Sequence, residues 1–203
     1  MPLVARALFG IRFAPALSET DYYFDVTTFA LFQFLAKRLD RRSQLLDMGT
    51  GSAAVLGLSL WRRVGCQVIS SDIDPALVTS ARRNVAHNGA PIEVVQSTYF
   101  DAVPDRFHVV SFNPPYVPTS AGEERGLRER RTQWDGGTDG THVIAGYLDA
   151  VAALGRPITS HLGMNRQHVD GPKMSRVLAG RKLRTSVFSH PLLPVDVYTI
   201  VCE

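Results

Sequence analysis

Short apolar runs alternate along this chain with longer stretches whose apolar side chains recur every three or four residues. No other feature of the sequence constrains the fold as strongly. Strands separated by helices close into a mostly parallel sheet covered on both faces, which makes the class α/β. The predicted strands are 43–49, 66–72, 92–100, 107–113 and 157–165, and two last runs, 184–190 and 195–203, close the sheet as an antiparallel pair. The predicted helices are 28–38, a Gly/Ala-rich stretch ending near Arg63, 75–89, 141–154 and a short one at Lys173–Ala179. Helix 75–89 carries its own punctuation, with Asp74 as N-cap, Pro75 in the first turn and Asn88-Gly89 as the stop. Ligands of such sheets sit at the carboxyl ends of the strands, so the residues that follow each strand carry the functional information.

Composition removes several classes of protein. The chain has 203 residues, 45% hydrophobic and 20% charged, which is ordinary material for one globular domain. The longest apolar stretch, Ala53 to Trp61, is broken by Gly57 and Ser59, too short for the roughly 18 residues of a membrane span. Cys66 and Cys202 lie far apart within strand-like runs, where a reduced thiol packs as a small hydrophobe; a disulfide framework is not expected and a cytoplasmic location is. Residues 1–40 read as a helical lead-in and substrate lid and 41–203 as the main body, together one globular domain. Arg6 and Arg12 cut the N-terminal apolar stretch too short for a secretory signal, while an organellar leader stays open. A net charge of +3 permits an anionic partner without requiring one. The one dense cluster, Arg125, Arg128, Arg130 and Arg131 among Glu123, Glu124 and Glu129, reads equally well as a self-paired surface segment or an anion contact.

Three places carry chemistry. In LLDMGTGSAA (45–54), Gly49 and Gly51 mark the step from the first strand into its helix, where a ligand can approach the backbone and meet free N–H donors. Read narrowly, Gly49 to Ala54 also fits a dinucleotide-binding pattern, which leaves a nicotinamide or flavin enzyme as an alternative. In SSDIDP (70–75), Asp72 ends the second strand about 20 residues after the glycines, where a carboxylate can accept from both ribose hydroxyls of an adenosine. Asp74 beside it is read as a helix cap.

The third place decides the chemistry. Asn113-Pro114-Pro115-Tyr116 follows the fourth strand, and average residue usage gives this tetrapeptide a chance of about one in a thousand in such a chain. The prolines restrict the backbone, so the Asn113 side-chain oxygen and the Pro114 carbonyl can stand as two fixed acceptors. Such a pair accepts both hydrogens of a planar –NH2 and holds its nitrogen towards an electrophile, with Tyr116 as an aromatic face. The lone pair of that nitrogen is delocalised and weakly nucleophilic, so orientation is the catalysis it needs.

LLDMGTGSAA, SDIDP and FNPPY, in this order and at these intervals, resemble the class I S-adenosylmethionine-dependent methyltransferases of the NPPY branch. Within the branch, the chain is most similar to the HemK-type release-factor glutamine methyltransferases and their short relatives. WDGGTDG (134–140) resembles the Gly-rich stretch that follows NPPY in that group, and the likeness covers roughly residues 22–155. The resemblance implies a single-domain Rossmann-like methyltransferase fold with a seven-stranded sheet. It implies Asp47, Gly49, Thr50 and Gly51 around the methionine part of S-adenosylmethionine, Asp72 on the ribose, Ile73 and Thr98 at the adenine. Asn113, Pro114 and Tyr116 would present the target nitrogen, with no metal and no covalent enzyme intermediate. The implied partner is a protein substrate such as a translation release factor, or else a nucleic acid, and a small activating partner subunit stays open.

Four departures stand against the pattern. Thr98 occupies the position of an acid, and His108 that of an aspartate, where it reads as structural. Segment 22–32 matches only loosely the family's proline-and-acid segment, and the stretch after Pro157 does not match the usual fifth strand. The expected activity is methyl transfer to a glutamine amide of a protein. The alternatives are an exocyclic amine of RNA or DNA, a small-molecule amine, an oxidoreductase, or a cofactor-binding subunit without activity.

Overall fold

The computed structural model describes residues 10–14 and 25–202. Seven strands form one sheet in the order β3-β2-β1-β4-β5-β7-β6. They are β1 Gln44–Met48, β2 Gln67–Asp72, β3 Glu93–Gln96, β4 Val109–Phe112, β5 Ile158–Asn165, β6 Arg184–Ser189 and β7 Val195–Cys202. The first five pair in parallel, while β7 runs antiparallel between β5 and β6. The order reverses at β1, whose neighbours are β2 and β4, and this puts a crevice at the carboxyl ends of those three strands.

The helices are α1 Val26–Leu35, α2 Val55–Val64, α3 Pro75–His87, the short α4 Thr119–Glu124 and α5 Arg131–Trp134, then α6 His142–Ala153 and α7 Gly171–Leu178. Helices α1, α2 and α3 bury their apolar faces on one side of the sheet, through Leu31, Leu35, Leu58, Leu60 and Val78. Helices α6 and α7 cover the other, through Ile144, Leu148, Val151 and Met174. Residues 10–14 belong to the first layer: Ile11 is buried, and the amides of Arg12 and Ala14 donate to the side chains of Asn88 and Asn84 on α3. The remainder of the lead-in and lid expected over 1–40, residues 1–9 and 15–24, lies outside the described residues, as does the leader segment apart from 10–14.

Differences from the predicted boundaries have local causes. β3 ends at Gln96 rather than near residue 100, because the Ser97 hydroxyl takes the Ala102 amide and donates to the Tyr99 carbonyl, turning the chain. Helix α2 begins at Val55, with Ala54 left-handed before it and the Asp47 carboxylate of β1 accepting the Gly57 amide in the first turn. Asp74 caps α3 as expected, accepting the Ala76 amide at 2.8 Å. Both cysteines are free, and burial pushes the Cys66 thiol up to about 11. Among the described residues no helix is long and apolar enough to cross a membrane.

One packing detail prepares the site. Gly163 in β5 sits under α1, where a Cβ would meet Thr27 and Leu31 at 2.6–2.7 Å. A side chain there would push α1 off the sheet. Without one, the N-terminal end of α1 comes down beside the end of β4 and brings Asp25 to Asn113.

Candidate active site

At the carboxyl ends of β1, β2 and β4 lies a cavity of about 980 Å³, near the upper limit of ordinary ligand pockets. Its walls contain each residue expected to hold the cofactor or the acceptor: Asp47, Gly49, Thr50, Gly51, Asp72, Ile73, Thr98, Asn113, Pro114 and Tyr116. The glycine bend and the asparagine-diproline corner therefore face one space.

The bend is shaped from beneath. Gly49 and Gly51 both have φ +65°; a Cβ on Gly49 would meet the Phe112 ring at 2.8 Å, whereas one on Gly51 would enter open space. So Gly49 lets the loop close on β4, and Gly51 is the glycine that opens on the cavity. Asp47 ties the loop together, accepting the Thr50 hydroxyl at 2.7 Å and the Gly57 amide at 3.0 Å. Burial pushes its carboxyl up to about 6, against the lowering pull of those hydrogen bonds. Asp72 accepts the amides of Gly51 at 2.9 Å and Asp74 at 3.1 Å, and burial raises its carboxyl above the ordinary range. Its role is thus double, because it anchors the glycine bend as well as lining the cavity. Ile73 beside it is 52% exposed, an apolar face open to a flat ring, and Thr98 is exposed at the rim.

The corner holds its shape from two sides. The Gly-rich loop closes behind it: the Gly136 amide donates to the Val117 carbonyl, and a Cβ on Gly136 or Gly140 would strike the Tyr116 backbone within 2.7 Å. In front stands α1. The Asn113 amide nitrogen donates to the Asp25 carboxylate at 2.8 Å and to the Thr28 hydroxyl at 3.1 Å. A carboxylate only accepts, so the amide edge that faces Asp25 is the NH2 edge. The other edge, Oδ1, is buried and has no partner among the described residues. The Tyr116 hydroxyl shares the same anchor, lying 2.7 Å from Thr27 Oγ1 and donating to Asp25 at 3.2 Å. Tyr116 is 7% exposed, so its ring forms wall while its hydroxyl ties the corner to α1.

Sequence reasoning passed over Asp25, Thr27 and Thr28, although all three sit in the loosely matching 22–32 segment. The signal was present in the Asp-Val-Thr-Thr start of a helix, where Asp25 also caps α1 by accepting the Thr27 amide. It also passed over His168, which follows β5 in the stretch that departs from the family pattern and lines the cavity with Asn165 and Gln167. His108 is exposed and off the cavity wall; its backbone joins β4 to Gln44 and Thr159, a structural part. The arginine cluster divides: Arg131 pairs with Glu123 and Asp135, Arg125 and Arg130 reach the cavity wall, and Arg128 stays exposed away from it.

A family model described as "Methyltransferase small domain" matches residues 20–127, just over half of the chain. The chain belongs to the methyltransferase small domain family. Its relatives include a protein from Methanocaldococcus jannaschii named as a protein N5-glutamine methyltransferase, 28% identical over 53% of this chain and 54% of that one. A release factor glutamine methyltransferase of Agrobacterium fabrum is 29% identical over 68% of this chain and 48% of that one. The chain therefore spans about half the length of the curated relatives it matches. Among solved structures, a methyltransferase from Pyrococcus furiosus superposes with TM-score 0.67 at 20% identity, covering 98% of this chain and 92% of that one. The human METTL16 catalytic domain in complex with a MAT2A 3'UTR hairpin gives TM-score 0.67 at 15% identity, covering 100% and 78%. These two likenesses show the Rossmann-like fold.

S-adenosylmethionine is the cofactor of this family, and it displaces the nicotinamide alternative that rested on Gly49 to Ala54 alone. The residues present fit it. A buried carboxylate at the end of β2 suits a diol, the exposed Ile73 suits an adenine face, and the open side of Gly51 leaves room for backbone approach. Among the described residues no group of three or more His, Cys, Asp or Glu could hold a metal.

Proposed function

We propose that this chain is an S-adenosylmethionine-dependent N-methyltransferase whose acceptor is a planar –NH2 nitrogen, in the first place a glutamine side-chain amide of a protein. The carrying observation is Asn113. Its NH2 edge is consumed by Asp25 and Thr28, which leaves Oδ1 as a buried acceptor without a donor among the described residues, on a side chain that lines the cavity. An unpaired buried acceptor is costly, roughly 1–3 kcal/mol, and is retained where a ligand completes it.

Bound at the glycine bend, S-adenosylmethionine supplies an electrophilic methyl on a sulfonium. Asp72 would hold the ribose, Ile73 and Thr98 the adenine end, and the loop tied by Asp47 and Thr50 the methionine part. Asn113 Oδ1 and the Pro114 carbonyl accept the two hydrogens of the target nitrogen and aim its lone pair along the bond to be broken. Methyl transfer to that nitrogen would convert the bound cofactor to a neutral thioether, and the nitrogen would give up one of its N–H protons to solvent.

The glutamine preference is supported by the names of the relatives, among them release factor glutamine methyltransferases, which makes a translation release factor the first protein to test. Incubation with methyl-labelled cofactor and a lysate split into protein, RNA and DNA tests the reading. Label in protein as N5-methylglutamine supports it; label in a nucleic-acid fraction moves the acceptor to an exocyclic base amine; no label in any fraction defeats both.

A further inference from the structure

The acceptor end of the cavity carries a pair of side chains that methyl transfer does not use. Arg125, at the end of α4, places Nη1 3.3 Å from Nε2 of His168, and both line the cavity. A guanidinium only donates, so Nε2 is the accepting nitrogen and the ring proton sits on Nδ1. Burial lowers the His168 titration, with help from Arg125 and Lys173 and against the opposite pull of Asp25, which favours the neutral ring. The pair therefore offers the cavity N–H groups only. No carboxylate pairs with Arg125 among the described residues.

The pair lies close to the target position. The His168 ring stands 6.1 Å from the Tyr116 ring, and the Tyr116 hydroxyl shares Asp25 with Asn113. From the inside outward the order is Asn113, Tyr116, His168, Arg125. The inner end accepts hydrogen bonds and the outer end donates them with a positive charge.

The charge of the rim limits what can fill the outer end. From the two segments that form it, after β4 and after β5, the charged residues on the wall are Arg125 and Arg130 against Glu129 and Asp135. A polyanionic backbone is gripped by a dense surplus of cations, one released counterion per neutralised phosphate, and this near balance does not provide it. One local anion on an otherwise balanced molecule fits better.

We infer that Arg125 and His168 form a subsite for a single carboxylate, so that the acceptor is a peptide whose target glutamine is followed closely by an acidic side chain or by the chain terminus. This rests on the protein-glutamine reading above. A guanidinium matches a carboxylate in charge and in its fork of donors.

Three peptides test it with labelled cofactor: acetyl-Gly-Gln-Gly-amide, acetyl-Gly-Gln-Asp-amide and acetyl-Gly-Gln-Gly with a free carboxyl terminus. At least one anionic peptide should show a KM lower on the order of tenfold than the neutral one, and which of the two it is identifies the source of the carboxylate. Arg125→Gln should erase that advantage, and Arg128→Gln, on an exposed neighbour away from the wall, should keep it. Equal KM values for all three peptides, or an advantage that survives Arg125→Gln, overturn the subsite. A second measurement separates this from failure of the glutamine reading. Titration with acetate, followed by the His168 ring resonances, should give a saturable shift absent in Arg125→Gln even if no peptide is methylated. No shift in the parent protein overturns the subsite by itself.

Discussion

The Asp25 carboxylate lies 2.8 Å from the amide nitrogen of Asn113, across 88 residues of sequence. That contact fixes the edge turned to α1 as the NH2 edge, which leaves the buried Oδ1 as the free acceptor among the described residues. Asparagine alone can turn either edge that way. The Thr28 hydroxyl at 3.1 Å accepts from the same nitrogen, but a hydroxyl suits either edge, so the carboxylate makes the choice.

Asp25→Asn tests this directly. Asparagine also caps helices well, so α1 should stay in place with little loss of stability. It can, however, face Asn113 with either edge, and Oδ1 is then no longer fixed as the free acceptor. Methyl transfer should fall roughly 10- to 100-fold while cofactor affinity barely changes. The Asn113 side-chain amide protons, protected in the parent, should exchange faster. Undiminished turnover would remove Asp25 from the site.

Asn113→Ala and Asp72→Ala should separate acceptor from donor. The first should abolish transfer and leave cofactor affinity within a few fold. The second removes a charged acceptor worth more than about 1.4 kcal/mol, so calorimetry should show a cofactor dissociation constant raised at least tenfold. Because Asp72 also holds the Gly51 amide, its loss should loosen the glycine bend as well. Equal losses of cofactor affinity in both variants would refute the division.

Asp47 links stability to pH. Its carboxyl titrates near 3.8 in an unfolded chain and at about 6 in the fold. Between these values the fold keeps a proton that the unfolded chain has released. This stabilisation is full below the lower value and is lost as pH rises through 6, by roughly 3 kcal/mol in all and about 1 kcal/mol between pH 5 and 7.5. Urea unfolding of the parent and of Asp47→Asn at those two pH values should show the parent losing that much relative to the variant.

His161 works in the opposite direction. Buried in β5 against Phe34 and Thr199, with Arg38 adding repulsion, it titrates at about 4 instead of 6.5. Between pH 6.5 and 4 the unfolded chain binds the extra proton, so stability drops as pH falls through that window, by roughly 3 kcal/mol. His161→Gln should flatten this part of the profile. A parent and variant that run parallel from pH 7 to 4.5 would contradict it.

The two loop glycines should differ. Gly51→Ala meets open space and carries only the strain of a positive φ, about 1 kcal/mol. Gly49→Ala carries that strain and also drives a methyl to within 2.8 Å of Phe112, so it should cost at least 1 kcal/mol more in thermal unfolding. Equal melting temperatures would mean that Phe112 yields freely.

Much of this was legible in one dimension. Strands and helices announced themselves by apolar period, and α3 by Asp74, Pro75 and Asn88. Gly49, Gly51, Asp72 and Asn113 stood out because each lies at or just after the end of a strand, where the parallel sheet directs its ligands. Asp25 and His168 did not, because a helix cap and a lone histidine after a strand have ordinary explanations at short range. The arginine cluster was legible as a cluster only; which member reaches the cavity depended on how α4 and α5 fold back.

Local chemistry along the chain was enough to determine the α/β class, the antiparallel closing pair and the placement of Gly49, Gly51, Asp72 and Asn113 at strand ends, since strand period, turn residues and proline restriction act over a few positions. The tertiary structure alone decided that Asn113 gives its NH2 edge to Asp25, that Asp72 pins the glycine bend, and that Arg125 meets His168. Each of these depends on contacts between segments distant in sequence. The physical reason is that an amide, a carboxylate and an imidazole take their donor, acceptor or charge state from the partners packed against them, and packing is settled only when the sheet and its two helical layers close.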